Sequence, residues 1–250
     1  SGKGVRPTAY GETVLEYANL ILKAAATIST LSLPDTYNSL RLSTYPSNMI
    51  SRLLVDFYKE WGTQFHIEYH EGSVEEITDH VHQGISEIGI VYVALKQVQT
   101  FQHILTHKNL EFVPQDVKKI CVYVGPNHPL YHTESIDFED LSSLKFMRGV
   151  RDFFSMEHHL ERVSMGVIDN EKLHHVVYTN SDHLIIDLLL HSDVCSLGLD
   201  FMHEPYTQYA IKSLPINGCE PFLQMGYVFN PERALSAQAR WVVERFRKML

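Results

Sequence analysis

The chain has 250 residues, 44% of them hydrophobic, which is enough for one large or two small cores. Its formal net charge of −9 argues against a broad phosphate-binding face built by this chain alone, and three cysteines without a Cys-x-x-Cys pair argue against a disulfide framework. Cys121 and Cys195 lie in strand-like apolar runs, the pattern of buried, reduced thiols in a cytoplasmic protein.

In chain order, the pattern from Glu12 to about Ser32 is helical. Val14, Ala18, Ile21, Ala25 and Ile28 recur at alternating heptad spacing, giving a narrow seam with small residues suited to close helix–helix contact. The competing reading is an amphipathic helix packed on its own domain. Residues 20–33 imitate a signal-peptide core, but Glu12 and Glu16 precede them, Lys23 interrupts them and no small-residue cleavage site follows. No other stretch approaches the ~20 apolar residues that span a bilayer. A soluble, cytoplasmic protein without a membrane partner is expected.

Pro34, Asp35 and Thr36 break the chain. Leu40 to Ser47 (LRLSTYPS) then reads as a short strand and a Tyr-Pro turn, with Ser47 opening a helix. Ile50, Leu53, Leu54, Phe57 and Trp61 mark the core face of that helix. Phe65, Ile67 and Tyr69 alternate in a second strand. Ser73 and Glu76 form a capping box for a helix whose Val74, Ile77 and Val81 point inward and which Gly84 ends. Residues 88–93 are continuously apolar, as in a strand buried on both faces.

Residues 97–107 predict a further helix and residues 118–124 a strong strand. A second α/β unit follows: strand 145–147, a helical region over 154–163, strand 174–178, a helix capped by Ser181, and strand 194–199. Strands near 209–214 and 223–229 and a terminal helix over 234–250 complete the chain. The alternation predicts parallel strands joined by right-handed crossovers.

Catalytic signals are weak. The run from Gly84 to Gly89 is one residue too long for a Gly-x-Ser-x-Gly elbow and precedes a strand instead of following one. Glycine-rich phosphate loops are absent, and no enzyme is expected. The 15 histidines include the pairs His158–His159 and His174–His175, but none has zinc-type spacing, so neither a metal nor a cofactor is expected. What recurs is a helix N-terminus just after a strand, at Ser47 and Asn48, at Ser73, and at Thr179 to Asp182. Each alone is a plain cap; together their hydroxyls, amides and N–H groups could converge on one carboxylate-bearing ligand. Arg148 and Arg151, beyond a predicted strand, could add charge to the same cleft.

The segments LRLSTYPSNMISRLLVDFYKEW, HEGSVEEI, SEIGIVYV, VYVGPNHPL and DHLIIDLLLHSDVCSLGLDF resemble, in order, the landmarks of the effector-binding domain of LysR-type transcriptional regulators. SGKGVRPTAYG resembles the wing of a winged helix-turn-helix leading into the linker helix of that family, most of the DNA-binding domain being missing. The resemblance implies an α/β fold of two Rossmann-like subdomains with a cleft between them, similar to type 2 periplasmic binding proteins. The implied divisions are 1–11 wing remnant, 12–36 linker and dimerisation helix, 37–120 plus 225–250 subdomain I, and 121–224 subdomain II. It also implies a homodimer or homotetramer and a small, anionic effector sensed in the cleft, with DNA bound by the missing winged helix of the intact protein. The expected effector contacts are Thr44, Tyr45, Ser47, Asn48, Ser73, Tyr92, Arg148, Thr179, Leu197, Gly198 and Asp200. A solute-binding protein for transport is the alternative.

Overall fold

The computed structural model describes residues 7–31, 38–46, 48–62, 65–149, 152–169, 173–200 and 209–250. Helix α1 (Ala9–Leu31) leads, followed by β1 (Asn38–Thr44), α2 (Asn48–Trp61), β2 (Phe65–Glu71), α3 (Val74–Gln83), β3 (Ile88–Ala94), α4 (Val98–His107) and β4 (Glu111–Lys118). The second half carries β5 (Ile120–Val124), β6 (Lys145–Arg148), the one-turn α5 (Leu160–Val163), β7 (His174–Tyr178), α6 (Asp182–His191), β8 (Val194–Leu199) and β9 (Lys212–Pro215). Strand β10 (Leu223–Phe229) and helix α7 (Ala237–Met249) finish the chain.

These strands form two five-stranded sheets of matching design, ordered β2-β1-β3-β10-β4 and β7-β6-β8-β5-β9. In each sheet three neighbouring strands run parallel, as the α/β alternation predicts, and β10 or β5 joins them antiparallel. The sheets are therefore mixed. A strand that enters from the other sheet has no helical crossover to force it parallel, so it can pair in the opposite sense. The chain first crosses at Lys119, between β4 and β5, and returns through residues 217–222. Phe222 is already tied to the first sheet by its N–H to Lys118 O and its carbonyl to Leu95 N. Both crossings thus lie slightly upstream of the divisions expected at 120/121 and 224/225.

Burial matches the periodicity. Ile50, Leu53 and Phe57 of α2 are buried against Leu40 and Leu42, and every residue of β3 is buried. The α3 capping box is complete, and Gly84 takes the left-handed conformation (φ 76°) that ends this helix. Cys121, Cys195 and Cys219 are buried free thiols, and burial pushes the Cys121 pKa up to about 12.

Two local expectations differ. The expected strand over 118–124 is the end of one strand and the start of the next, because β4 precedes it and belongs to the other sheet. Its sequence, EFVPQDVK, conceals it: Pro114 cannot donate to a ladder and sits on an edge strand beside a bulge, where Gln115 is the extra residue opposite the Met225–Gly226 step. The helical region over 154–163 is only a 3-10 turn, Met156–His159, followed by α5.

On α1, Val14 and Ile21 are 48% and 69% exposed, as are Tyr17 and Leu22 at 62% and 66%. Ala18 is half-buried and Ala25 exposed, while the Ile28 side chain falls outside the description. Among the described residues no helix is long and apolar enough to cross a membrane.

Candidate functional site

The strand ends of the two sheets face one another across a cavity of about 110 Å³. Tyr45, Pro46 and Tyr92 close it from the first subdomain; the rest of its lining comes from the second. Tyr45 continues the line of β1, its N–H donating to Ile90 O at 3.2 Å. Its ring lies 4.5 Å from that of Tyr92, tilted by 58°. Burial pushes the Tyr45 hydroxyl up to about 12 and raises that of Tyr92 well above its ordinary value, so both are neutral phenols.

On the opposite wall β6 delivers Arg148 at its C-terminal end. The Arg148 Nε lies 2.8 Å from Glu157 Oε2, with side chains only 19% and 8% exposed. Arg148 Nη2 is 3.3 Å from His158 Nε2. Burial raises the Glu157 pKa and Arg148 opposes the rise. Thr179 follows β7, its N–H donating to Arg148 O at 3.0 Å, and its hydroxyl accepts from Ser181 N. Asn180 and Asp182 complete this corner at the start of α6. Burial first, and Glu71 across the cleft second, raise the Asp182 pKa, with His183 opposing.

Strand β8 supplies Leu197 and Gly198. A Cβ on Gly198 would lie 2.0 Å from Tyr123 Cε2, so only glycine lets the Tyr123 ring lie flat on β8 and donate its hydroxyl to Leu199 O at 2.6 Å. That ring forms part of the cavity floor.

Six of the eleven expected contacts line this cavity: Tyr45, Tyr92, Arg148, Thr179, Leu197 and Gly198. Thr44 does not. It is fully buried and its hydroxyl donates to the adjacent Tyr45 carbonyl. Asp200 lies past the end of β8, where its N–H donates to Lys119 O at the crossing between sheets. Ser47 lies outside the described residues, as does the Asn48 side chain.

Ser73 is occupied. Its N–H and hydroxyl both donate to Glu76 Oε2, at 2.8 and 2.9 Å, and its oxygen accepts from Glu76 N. The next free N–H of α3, that of Val74, donates to Asp152 Oδ2 at 2.6 Å, and Asp152 Oδ1 accepts from Phe154 N at 2.9 Å. The anion-binding end of α3 thus holds a carboxylate supplied by the second subdomain. Tyr123, Ser155, Met156, Glu157 and Ser196 also line the cavity and were not expected. Only Glu157 carried a usable signal, as a carboxylate one short connection downstream of Arg148.

No group of three or more His, Cys, Asp or Glu is placed to hold a metal ion among the described residues.

The model of the LysR substrate binding domain matches residues 39–250. No curated protein sequence matches the chain. Among solved structures, the effector binding domain of QuiR in complex with shikimate is 15% identical with a TM-score of 0.56, covering 85% of this chain and 98% of that one. A full-length BenM mutant is 14% identical with a TM-score of 0.59, covering 100% and 80%. HinK, a LysR family regulator from Pseudomonas aeruginosa, is 12% identical with a TM-score of 0.57, covering 99% and 84%. At these identities the likeness is one of fold.

Proposed function

The chain belongs to the LysR substrate binding domain family, and on that premise we propose that the cavity between Tyr45 and Arg148 is its effector site. The regulatory domain senses a small anionic metabolite there. The observation that carries this reading is a cavity walled by both subdomains at their strand ends, with a guanidinium on one side and two neutral phenols on the other. Glu157 and His158 engage one edge of Arg148; an acidic group of the effector accepts from the guanidinium donors they leave, and from Thr179 and Asn180. Tyr45, Tyr92 and Leu197 take its apolar part. At about 110 Å³ the cavity suits a compact organic or amino acid.

A ligand held by both walls favours the subdomain arrangement in which the walls fit it. In the intact regulator that shift changes how paired winged helices, preceding this chain, meet two half-sites on DNA. The exposed seam of α1, with Val14 and Ile21 outward, is the surface through which two copies associate. A cytoplasmic location and the absence of catalysis belong to the same reading.

A thermal-shift screen against amino acids and small organic acids tests it. A ligand at a hundredfold its dissociation constant adds about 2.7 kcal/mol, or roughly 5–11 °C for a domain of this size. The shift should vanish in Thr179→Val and Tyr45→Ala. A shift that survives both substitutions would place the effector elsewhere.

A further inference from the structure

Helix α4 turns Phe101 and Leu105 into the core, which leaves its outer face to solvent. On that outer face stand His103 and His107, both exposed and one helical turn apart. Their rings are nearly perpendicular, with centroids 4.6 Å apart and planes at 86°. The two Nε2 atoms face each other at 3.2 Å.

That separation has two chemical meanings. In one, a single imidazole N–H donates to the other ring nitrogen. In the other, both nitrogens are lone-pair donors to a cation between them. With metal–nitrogen distances of about 2.0–2.1 Å, nitrogens 3.2 Å apart subtend roughly 100–105° at the metal, close to a tetrahedral bite. The helix fixes both backbones, so little ordering is needed to bind.

We infer that His103 and His107 form a bidentate surface site for a borderline divalent cation of the Zn²⁺, Ni²⁺ or Cu²⁺ class, with water completing the coordination. Binding places the single N–H of each neutral ring on Nδ1, which frees both Nε2 lone pairs for the metal. Among the described residues no carboxylate joins the pair, and an all-nitrogen donor set suits Zn²⁺, Ni²⁺ or Cu²⁺ better than Mg²⁺ or Ca²⁺, which want oxygen ligands. The site lies outside the cleft and stands independently of the effector reading.

The test is isothermal titration of the tag-free chain with Zn²⁺ and with Ni²⁺ in a non-coordinating buffer, beside His103→Gln and His107→Gln. The expected result is one site per chain, weakened at least tenfold by either substitution, with no heat from Mg²⁺. Both histidines are exposed, so the metal-free melting temperature of each variant should stay unchanged. Imidazole nitrogen NMR of the unsubstituted protein gives a second readout: Zn²⁺ should shift the Nε2 resonances of both rings together. Absence of binding, affinity indifferent to either substitution, or a shift confined to one ring would each overturn the site.

Discussion

Two helices, α3 and α6, begin at corresponding strand ends of the two sheets, and both are capped by a serine. They differ in what occupies the cap. Ser73 is locked in a reciprocal box with Glu76, and the next N–H is taken by Asp152 from the opposite subdomain. Ser181 has Leu184 three residues on, makes one long bond of 3.4 Å to its N–H, and has Thr179 and Asn180 at its side facing the cavity. The lesson is that a helix N-terminus is an available anion site only where the chain has not already supplied the anion. The α3 corner is a clasp between subdomains; the α6 corner is open to a ligand.

The largest effect should come from the cavity wall beside α6. Arg148→Met leaves Glu157 buried without its cation, which costs about 3–5 kcal/mol in urea unfolding. Adding Glu157→Leu should recover most of that loss, because the uncompensated charge goes with it. A single variant no less stable than the parent would mean that the pair is solvated and the wall open. Next comes the clasp. Asp152→Ala removes the acceptor for Val74 N and Phe154 N and should cost roughly 1.5–3 kcal/mol, as expected for hydrogen bonds to a charged group. The same change vacates the α3 N-terminus, so added sulfate should stabilise this variant more than the parent. An equal sulfate response in both would show that the two corners do not differ in availability.

Most of the fold could be read from residue order, because periodicity and capping are local. The core face of α2, the continuous burial of β3 and the box at Ser73 all follow from spacings within one turn or one strand. What escaped is set by partners distant in sequence. Strand β4 holds because β10 pairs with it from over a hundred residues away, an arrangement that Pro114 disguises. The same holds for the site. Arg148 and Thr179 were legible as polar residues at strand ends, and they line the cavity. Ser73 looked equally good, and nothing nearby announces that Asp152, 78 positions from Val74, fills its helix end. Tyr123 was legible only as a core strand residue, and its place in the cavity depends on Gly198 opposite.

The caps themselves give a smaller contrast. Ser73→Ala should cost about 1–2 kcal/mol, since it breaks a reciprocal box, whereas Ser181→Ala should cost only about 0.5 kcal/mol. Equal losses in thermal unfolding would mean that α6 is held as tightly as α3.

The finest probe of the open corner is pH. Burial and Glu71 raise the Asp182 pKa above its ordinary 3.8, so between that value and its folded pKa the native state holds more protons than the unfolded chain. Stability attributable to Asp182 is therefore greatest in acid and declines as pH rises through this window. The sense is opposite to that of a salt-bridged carboxylate. Because Asp182 is partly exposed, the effect is screened and amounts to a change of slope. Asp182→Asn should flatten the melting temperature against pH just above 3.8 and leave the acid end unchanged. Its partner in this repulsion is Glu71, on the other side of the cleft, so Glu71→Gln should reproduce part of the flattening. If Asp182→Asn flattened the curve and Glu71→Gln did nothing, desolvation alone would account for the shift, and the two subdomains would not sense each other's charge at this corner.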